Sequence, residues 1–435
     1  MASSNVRHPE EAAKRPSRRT HSAEPASSSP SHPSRDAGEG NAAEYLLSAR
    51  AVRERCAIVL AAAERGETRH FRLVPERLED AAQRVANITR RRYPHLDVPL
   101  HSRWRHFDVG GVDRAGLVAG EADMAERARA RLDLAIVSVL LDAGAGPAWQ
   151  YRETDTGLVL ARSEGLAVAS LRAMQAGLFS ADRANPWRAD AAALTGITPE
   201  RLGAAFQHGP DNPLAGLAGR AALLRRLGEV AAGEPEVFGS PARLGNLYDS
   251  WLPRRAGLPA PEMLRVLLPA LGPIWPGRLS LHGVPLGDSG RHSAIPENGI
   301  VPFHKLSQWL TYSLIEPLAE AGFRVTDIDG LTGLAEYRNG GLFLDTGVIA
   351  ARDPALLRSP LDPLSEPVVE WRALTLALLD RLAPLVRDML GVGAAEFPLA
   401  KVLEGGSWAA GREIAREKRP DGSAPLTTAS DGTLF

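Results

Sequence analysis

The stretch Pro302-Phe303-His304-Lys305-Leu306-Ser307-Gln308-Trp309-Leu310-Thr311-Tyr312-Ser313-Leu314 decides how the chain is read. Leu306, Leu310 and Leu314 recur at the spacing that lines one stripe of a helix. Lys305, Gln308, Trp309 and Tyr312 fall together on another face. Plain solvent faces carry mostly Glu, Lys and Arg, so a mixed Lys/Gln/Trp/Tyr face suits the wall of a polar pocket. The helix is predicted over 302–320.

The same periodicity extends in both directions. Tyr45, Leu46, Val52, Cys56, Val59, Leu60 and Ala63 recur at three- and four-residue spacing up to Gly66, and Leu78, Val85 and Ile88 continue it to Pro94. Further helices are predicted over 132–141, 221–230, 261–271 and 371–389, and Thr198-Pro199 reads as a cap with proline in the first turn. Period-two stretches are few, the best being 158–160, 324–328 and 341–344. The expected fold class is therefore mainly α with small β elements, without the βα alternation of a doubly wound sheet. Residues 1–40, polar and rich in Ser, Pro and Arg, are predicted as a disordered tail. Residues 43–435 are predicted as a single large helical catalytic domain, with a candidate subdomain boundary near 230–260.

Composition narrows the function. The 435 residues carry 51 Lys and Arg against 52 Asp and Glu, a net charge of -1. A protein built to grip nucleic-acid phosphates needs a basic surface, so nucleic acid is not an expected partner. One phosphorylated small molecule needs only a local basic pocket. The single cysteine, Cys56, excludes an internal disulfide framework and a Cys₄ zinc site, and a reducing cytoplasm fits it. No apolar run approaches the ~18 residues of a membrane span, so no membrane partner is expected. Lys305 is the only lysine between residues 15 and 400 in a chain that otherwise uses arginine, which singles it out as a place for a compact ammonium. Composition is silent on the oligomeric state.

Four segments carry candidate chemistry. The block His101-Ser102-Arg103-Trp104-Arg105-His106-Phe107-Asp108 is not amphipathic at either period and reads as a loop or an irregular helix start. In it Trp104 can stack on a planar group, while Arg105 and His106 can hold anions. His101, His106 and Asp108 match no standard metal-ligand motif, and neither metal nor organic cofactor is expected. Gly287-Asp288-Ser289-Gly290-Arg291-His292 reads as a surface loop or site rim, with neither P-loop nor nucleophile-elbow spacing. Asp327, Asp329 and Glu336 bring three carboxylates close in sequence, the equipment of glycosidic chemistry. Asp345-Thr346-Gly347 ends an apolar run and reads as a strand end followed by a turn.

The His-Ser-Arg-Trp-Arg-His-Phe block, residues 301–314 and 327–349, Leu403-Glu404-Gly405-Gly406-Ser407-Trp408-Ala409-Ala410-Gly411-Arg412 and the terminal Ser430-Asp431-Gly432-Thr433-Leu434-Phe435 resemble the uracil-catabolism protein 4 family, over about residues 43–435. That resemblance implies a place in a ring-opening route for uracil that passes through a ribosylated urea. A more distant similarity joins Phe-x-Lys-x-x-Gln at 303–308 and Asp-Ile-Asp-x-Leu-Thr-x-x-Ala-Glu-Tyr-Arg at 327–338 to the queuosine-salvage nucleotide N-glycosylases. Those enzymes are helical proteins related to helix-hairpin-helix DNA glycosylases, so this architecture is what the resemblance implies. By it Lys305 matches a pocket lysine, and Glu336 stands where the related motif has aspartate, a change that moves the carboxylate by ~1.5 Å. The implied activity is an N-ribosyl hydrolase releasing urea from ribosylurea or its 5′-phosphate. Glu336 and Asp329 are then the catalytic carboxylates. Lys305, Gln308, Tyr312, Asp327, Tyr337, Arg338, Trp104, Arg105 and His106 form the binding set around a small, nucleotide-like substrate. The alternatives are a uracil phosphoribosyltransferase and a non-catalytic ligand-binding partner of the same pathway.

Overall fold

Side-chain caps divide the chain into short and medium helices. Ser48 Oγ accepts from the Ala51 N–H at 3.1 Å, Asp123 Oδ1 from Glu126 at 2.8 Å and Thr198 Oγ1 from Arg201 at 3.3 Å, each satisfying an orphan donor of a first turn. The computed structural model describes residues 39–275 and 279–429. The tail predicted over 1–40 lies outside the described residues except for its last two positions, which open the first helix; the terminal 430–435 motif also lies outside them.

The helices in the first half are α1 (Glu39–Leu46), α2 (Ala49–Glu64), α3 (Leu78–Arg92), α4 (Trp104–Phe107), α5 (Met124–Leu140), α6 (Arg162–Gln175), α7 (Ala191–Thr195), α8 (Pro199–Ala205) and α9 (Leu217–Gly233). They are followed by α10 (Pro235–Phe238), α11 (Leu247–Trp251), α12 (Ala260–Leu271), α13 (Lys305–Glu320), α14 (Tyr337–Asp345), α15 (Glu366–Leu390), α16 (Leu399–Val402) and α17 (Trp408–Lys418). The chain is mainly α. None of the described helices is long and apolar enough to cross a membrane.

α15 is the central element. Pro367 sits in its first turn, where the missing N–H costs nothing, and Gly391 closes it in the left-handed region at φ 75°. Sixteen of its 25 residues are buried, too many for one face, so it is enclosed by α2, α3 and α14 rather than laid on a surface. α14 in turn packs on α17, and α13 on α5 and α12. At the α14–α17 crossing a Cβ on Gly411 would sit 2.0 Å from the Arg338 carbonyl oxygen, so only glycine allows this approach. The described residues from Glu39 onward form one compact unit.

Among the described residues no sheet exceeds two strands. Phe71–Leu73 pairs antiparallel with Ile349–Ala351, Gln150–Arg152 with Val159–Ala161, and Ser289–Arg291 with Ile300–Pro302, while Leu258–Pro259 runs parallel to Val325–Thr326. The doubly wound sheet that a phosphoribosyltransferase reading needs is not among them.

Three expectations are corrected. Residues 341–344 are helical, inside α14: Glu336 caps a helix there, and the short apolar run has no partner strand. The 287–292 segment is not surface loop, because Ser289 and His292 are almost fully buried and Asp288 pairs with Arg372. The pocket face predicted on α13 is only half realised: Lys305 and Trp309 reach a cavity, whereas Gln308 and Tyr312 are at 0 % exposure and do not line it.

Candidate functional site

A cavity of about 320 Å³ opens where six pieces of chain meet: the first turns of α6, α13, α14 and α17, the turn after α5, and the segment around His101 and His106. Its chemistry starts with Lys305. The backbone enters α13 through His304 in the left-handed region, φ 49°. Asp288 fixes that entry: its carbonyl accepts from the N–H groups of Phe303 and His304, and its Oδ2 accepts from the Lys305 N–H at 3.0 Å. The Arg372 guanidinium holds both Asp288 oxygens in a fork at 2.7 and 2.8 Å and lies 4.0 Å over the Phe303 ring. Burial alone would raise the Asp288 carboxyl; the Arg372 charge and these hydrogen bonds outweigh it and hold the group at about 2. Lys305 is thereby delivered to the cavity wall as the first residue of α13. Among the described residues its ammonium has neither hydrogen bond nor ion pair, and burial lowers its pKa against the opposing charges of Glu336, Asp142 and Asp288.

Glu336 is held as tightly. It is extended (φ -113°, ψ 164°) and caps α14, with Oε2 accepting from the Arg338 N–H at 2.7 Å and Oε1 from the Asn339 N–H at 2.5 Å. Burial raises its pKa, more than those two bonds and the nearby Lys305 and His101 lower it. The cavity thus contains an acid shifted up and an ammonium shifted down, the usual mark of groups tuned for proton transfer.

The remaining wall comes from elements with no catalytic signature. Asp142, just past α5, accepts from Arg103 Nη1 at 2.7 Å and from the Ser163 hydroxyl at 3.0 Å. The turn it begins is clamped by buried Arg220, which donates to the carbonyls of Leu141, Ala143 and Gly144. Arg162 enters α6 at φ 56°, a strained geometry for a non-glycine residue that is often found at functional sites. Trp309 forms the floor, with the Arg103 guanidinium 5.6 Å over its ring and His106 edge-on at 5.7 Å. Tyr337, 43 % exposed, stands at the mouth.

Burial, with the charges of Arg103 and His101, pushes His106 down from 6.5 to about 3. Between those values the unfolded chain takes up a proton that the folded chain refuses, so His106 makes the protein less stable as pH falls across this window. His106→Asn is expected to flatten the slope of Tm against pH between about 6.5 and 3, which thermal melts in a buffer series will show; parallel slopes for the two proteins would rule the effect out.

Of the residues picked from sequence, Lys305, Trp309, Glu336, Tyr337, His101 and His106 line this one cavity. The others do not. Asp329 pairs with Arg387 at 2.6 Å and accepts from the Leu399 N–H, tying the turn after Asp327 to α16. Asp327 is an exposed turn residue at φ 51°. Arg338 turns away and donates to the Gly422 carbonyl at 3.1 Å. Gln308 and Tyr312 both bind Thr332, the first by a reciprocal pair of bonds, and so fasten the strap leading to Glu336 onto α13. Trp104 is buried with its Nε1–H on the Ser313 carbonyl, and Arg105 is spent on Glu316 and Asp108. Sequence reasoning missed Asp142, Arg162, Ser163 and Trp408, which also line the cavity. The small-residue turn Gly144-Ala145-Gly146-Pro147 after an apolar helix was the one available signal for that wall. No group of three or more His, Cys, Asp or Glu is arranged to hold a metal among the described residues.

Comparison with known proteins places this arrangement. The family described as "Protein of unknown function (DUF1688)" matches residues 45–435. "Protein urg3" of Schizosaccharomyces pombe is 41% identical over 401 residues, covering 90% of this chain and 98% of that protein. "Uracil catabolism protein 4" of Lachancea kluyveri is 36% identical over 440 residues, covering 91% and 99%. The cavity-lining motifs lie inside the matched region, and the chain belongs to the DUF1688 family.

Proposed function

We propose that the chain acts in uracil catabolism as an N-ribosyl hydrolase, releasing urea from ribosylurea or its 5′-phosphate. The observation that carries this reading is the pairing, across one cavity, of a buried carboxyl shifted up and an ammonium, without a partner among the described residues, shifted down. The name of the Lachancea kluyveri relative and the motif resemblance to queuosine-salvage glycosylases, with their helix-hairpin-helix type of architecture, supply the substrate class.

In this scheme Glu336 faces C1′ of the ribose. Its charge stabilises the oxocarbenium-like transition state and its free lone pairs take a proton from the attacking water. Two backbone N–H groups hold it in place before reaction, so little reorganisation is needed. Lys305 binds ribose hydroxyls or phosphate, and Arg162, at the cavity edge, takes the anion-binding role that Arg338 is placed too far round α14 to fill. Tyr337 covers the mouth. The supporting carboxylate is Asp142 rather than Asp329.

The test is direct: purified protein is incubated with ribosylurea and with its 5′-phosphate, and urea is measured. Release from either supports the reading. Saturable binding without urea assigns the cavity to a ligand-binding partner, and uracil-dependent consumption of phosphoribosyl pyrophosphate assigns it to a transferase.

Lys305→Met follows from the same geometry. The side chain fills no core and its removal breaks no ion pair among the described residues, so Tm should hold or rise. Loss of a charge-assisted bond of roughly 1.5–3 kcal/mol should weaken substrate binding by one to two decades. Unchanged KM in steady-state assays would take Lys305 out of the binding site.

A further inference from the structure

A second histidine of the cavity, absent from the scheme above, carries the geometry of a proton donor. His101 is 8 % exposed and lines the cavity wall. Its Nδ1 lies 2.8 Å from Glu404 Oε2, and its backbone N–H is tied to the Ala400 carbonyl. With Nδ1 committed to a carboxylate, the ring edge left for the cavity carries Nε2, which has no partner among the described residues.

Glu404 is itself built in. It lies in a single π-helical turn, Leu403–Ser407, between α16 and α17, a feature frequently found at functional sites. That turn is pressed against α3: a Cβ on Gly406 would meet the Val85 carbonyl oxygen at 2.5 Å. The other carboxyl oxygen, Oε1, receives Arg92 Nη2 and the Tyr93 hydroxyl, each at 3.3 Å. Burial would raise the Glu404 pKa; the His101 hydrogen bond and the neighbouring cations prevail and lower it, so it stays an acceptor.

We infer that His101, oriented by Glu404, is the general acid that protonates the leaving nitrogen, an assignment that rests on the hydrolase reading. Water oxygen bonds to C1′ as the C1′–N bond breaks. The bonding pair stays on the urea nitrogen, which takes the proton from His101 Nε2. The water proton passes to Glu336. The products are urea and the free sugar, and proton return from Glu336 through solvent to His101 resets both groups. Glu404 is the positioning residue, holding the imidazolium by charge.

Leaving-group chemistry tests the assignment. A urea nitrogen needs protonation to depart, whereas 4-nitrophenolate departs unaided. His101→Gln should lose about two to four decades of kcat on ribosylurea, in whichever form the wild type accepts, and less than about one decade on 4-nitrophenyl β-D-ribofuranoside. Glu404→Gln should show the same contrast with a smaller loss, about one to two decades. Glu336→Gln should lose on both substrates, since it acts on the sugar. Turnover of the nitrophenyl riboside also reports that the variants are folded. If the aryl ring does not fit, His101→Gly with added imidazole carries the test: recovered urea release supports the assignment, and none overturns it. Equal losses by His101→Gln on both substrates, or wild-type activity on ribosylurea, overturn the dyad alone. A wild type that releases neither urea nor nitrophenol overturns the hydrolase reading and the dyad with it.

Discussion

Glu336→Gln is expected to lower kcat for urea release by roughly two to three decades while KM changes little, because positive charge grows on the sugar only near the transition state. The hydrogen bonding makes this a demanding experiment. Both oxygens of Glu336 accept from backbone N–H groups, at 2.7 Å from Arg338 and 2.5 Å from Asn339. Glutamine offers one oxygen and one NH₂, so one backbone donor is left facing another donor, at a cost of about 1–3 kcal/mol. A fall in activity could then come from a loosened α14. Glu336→Asp separates the causes: aspartate is among the best N-caps and keeps the charge, but sits back from the cavity. It should recover Tm while recovering kcat only in part, through a bridging water. Full activity in Glu336→Gln would remove the carboxylate from catalysis and shift attention to Asp142.

The helices were largely legible because their signals are local. Ser48, Asp123 and Thr198 cap where capping residues precede an apolar period, and Pro199 and Gly391 sit where a first turn and a left-handed stop need them. The misreading of 341–344 as a strand has a physical source. A four-residue apolar run fits either period, and the residue that decides it, Glu336, lies five positions upstream and caps by a side-chain bond that no pattern displays.

The site was legible only where residues stand out by type. Lys305 is conspicuous in an arginine-rich chain, and Glu336 sits in a motif with a known counterpart. Asp329, Arg338, Gln308 and Tyr312 have the right chemistry in the right stretch, yet each is spent on Arg387, Gly422 or Thr332 to hold the backbone that presents Glu336. Sequence proximity brought these residues to the strap without saying which side chains turn inward. Asp142, Arg162 and Ser163 come from about 170 to 195 positions away from Glu336, and their approach depends on how α5 docks against α13 and α6 against α5, which short-range spacing does not encode.

The largest loss of stability is expected at Glu370, a charged residue type in the middle of the central helix. It is fully buried and accepts from three successive backbone N–H groups, Arg69 at 3.3 Å, His70 at 3.1 Å and Phe71 at 2.7 Å, as well as lying 3.1 Å from His292 Nε2. One carboxyl group therefore fastens α15 to the Phe71–Leu73 strand and to the 289–292 segment that leads, through Asp288, to Lys305. Glu370→Ala removes the acceptor for three main-chain donors and leaves a void where water is poorly admitted. Breaking such a buried polar centre costs about 3–5 kcal/mol, a fall in Tm on the order of 5 °C or more. Glu370→Gln keeps one oxygen and the volume, so it should lie between Ala and wild type. Calorimetry on the three proteins gives the ranking directly. A Glu370→Ala melt within a degree of wild type would mean that the N–H groups of residues 69–71 find other acceptors, and that the strand is not anchored through α15.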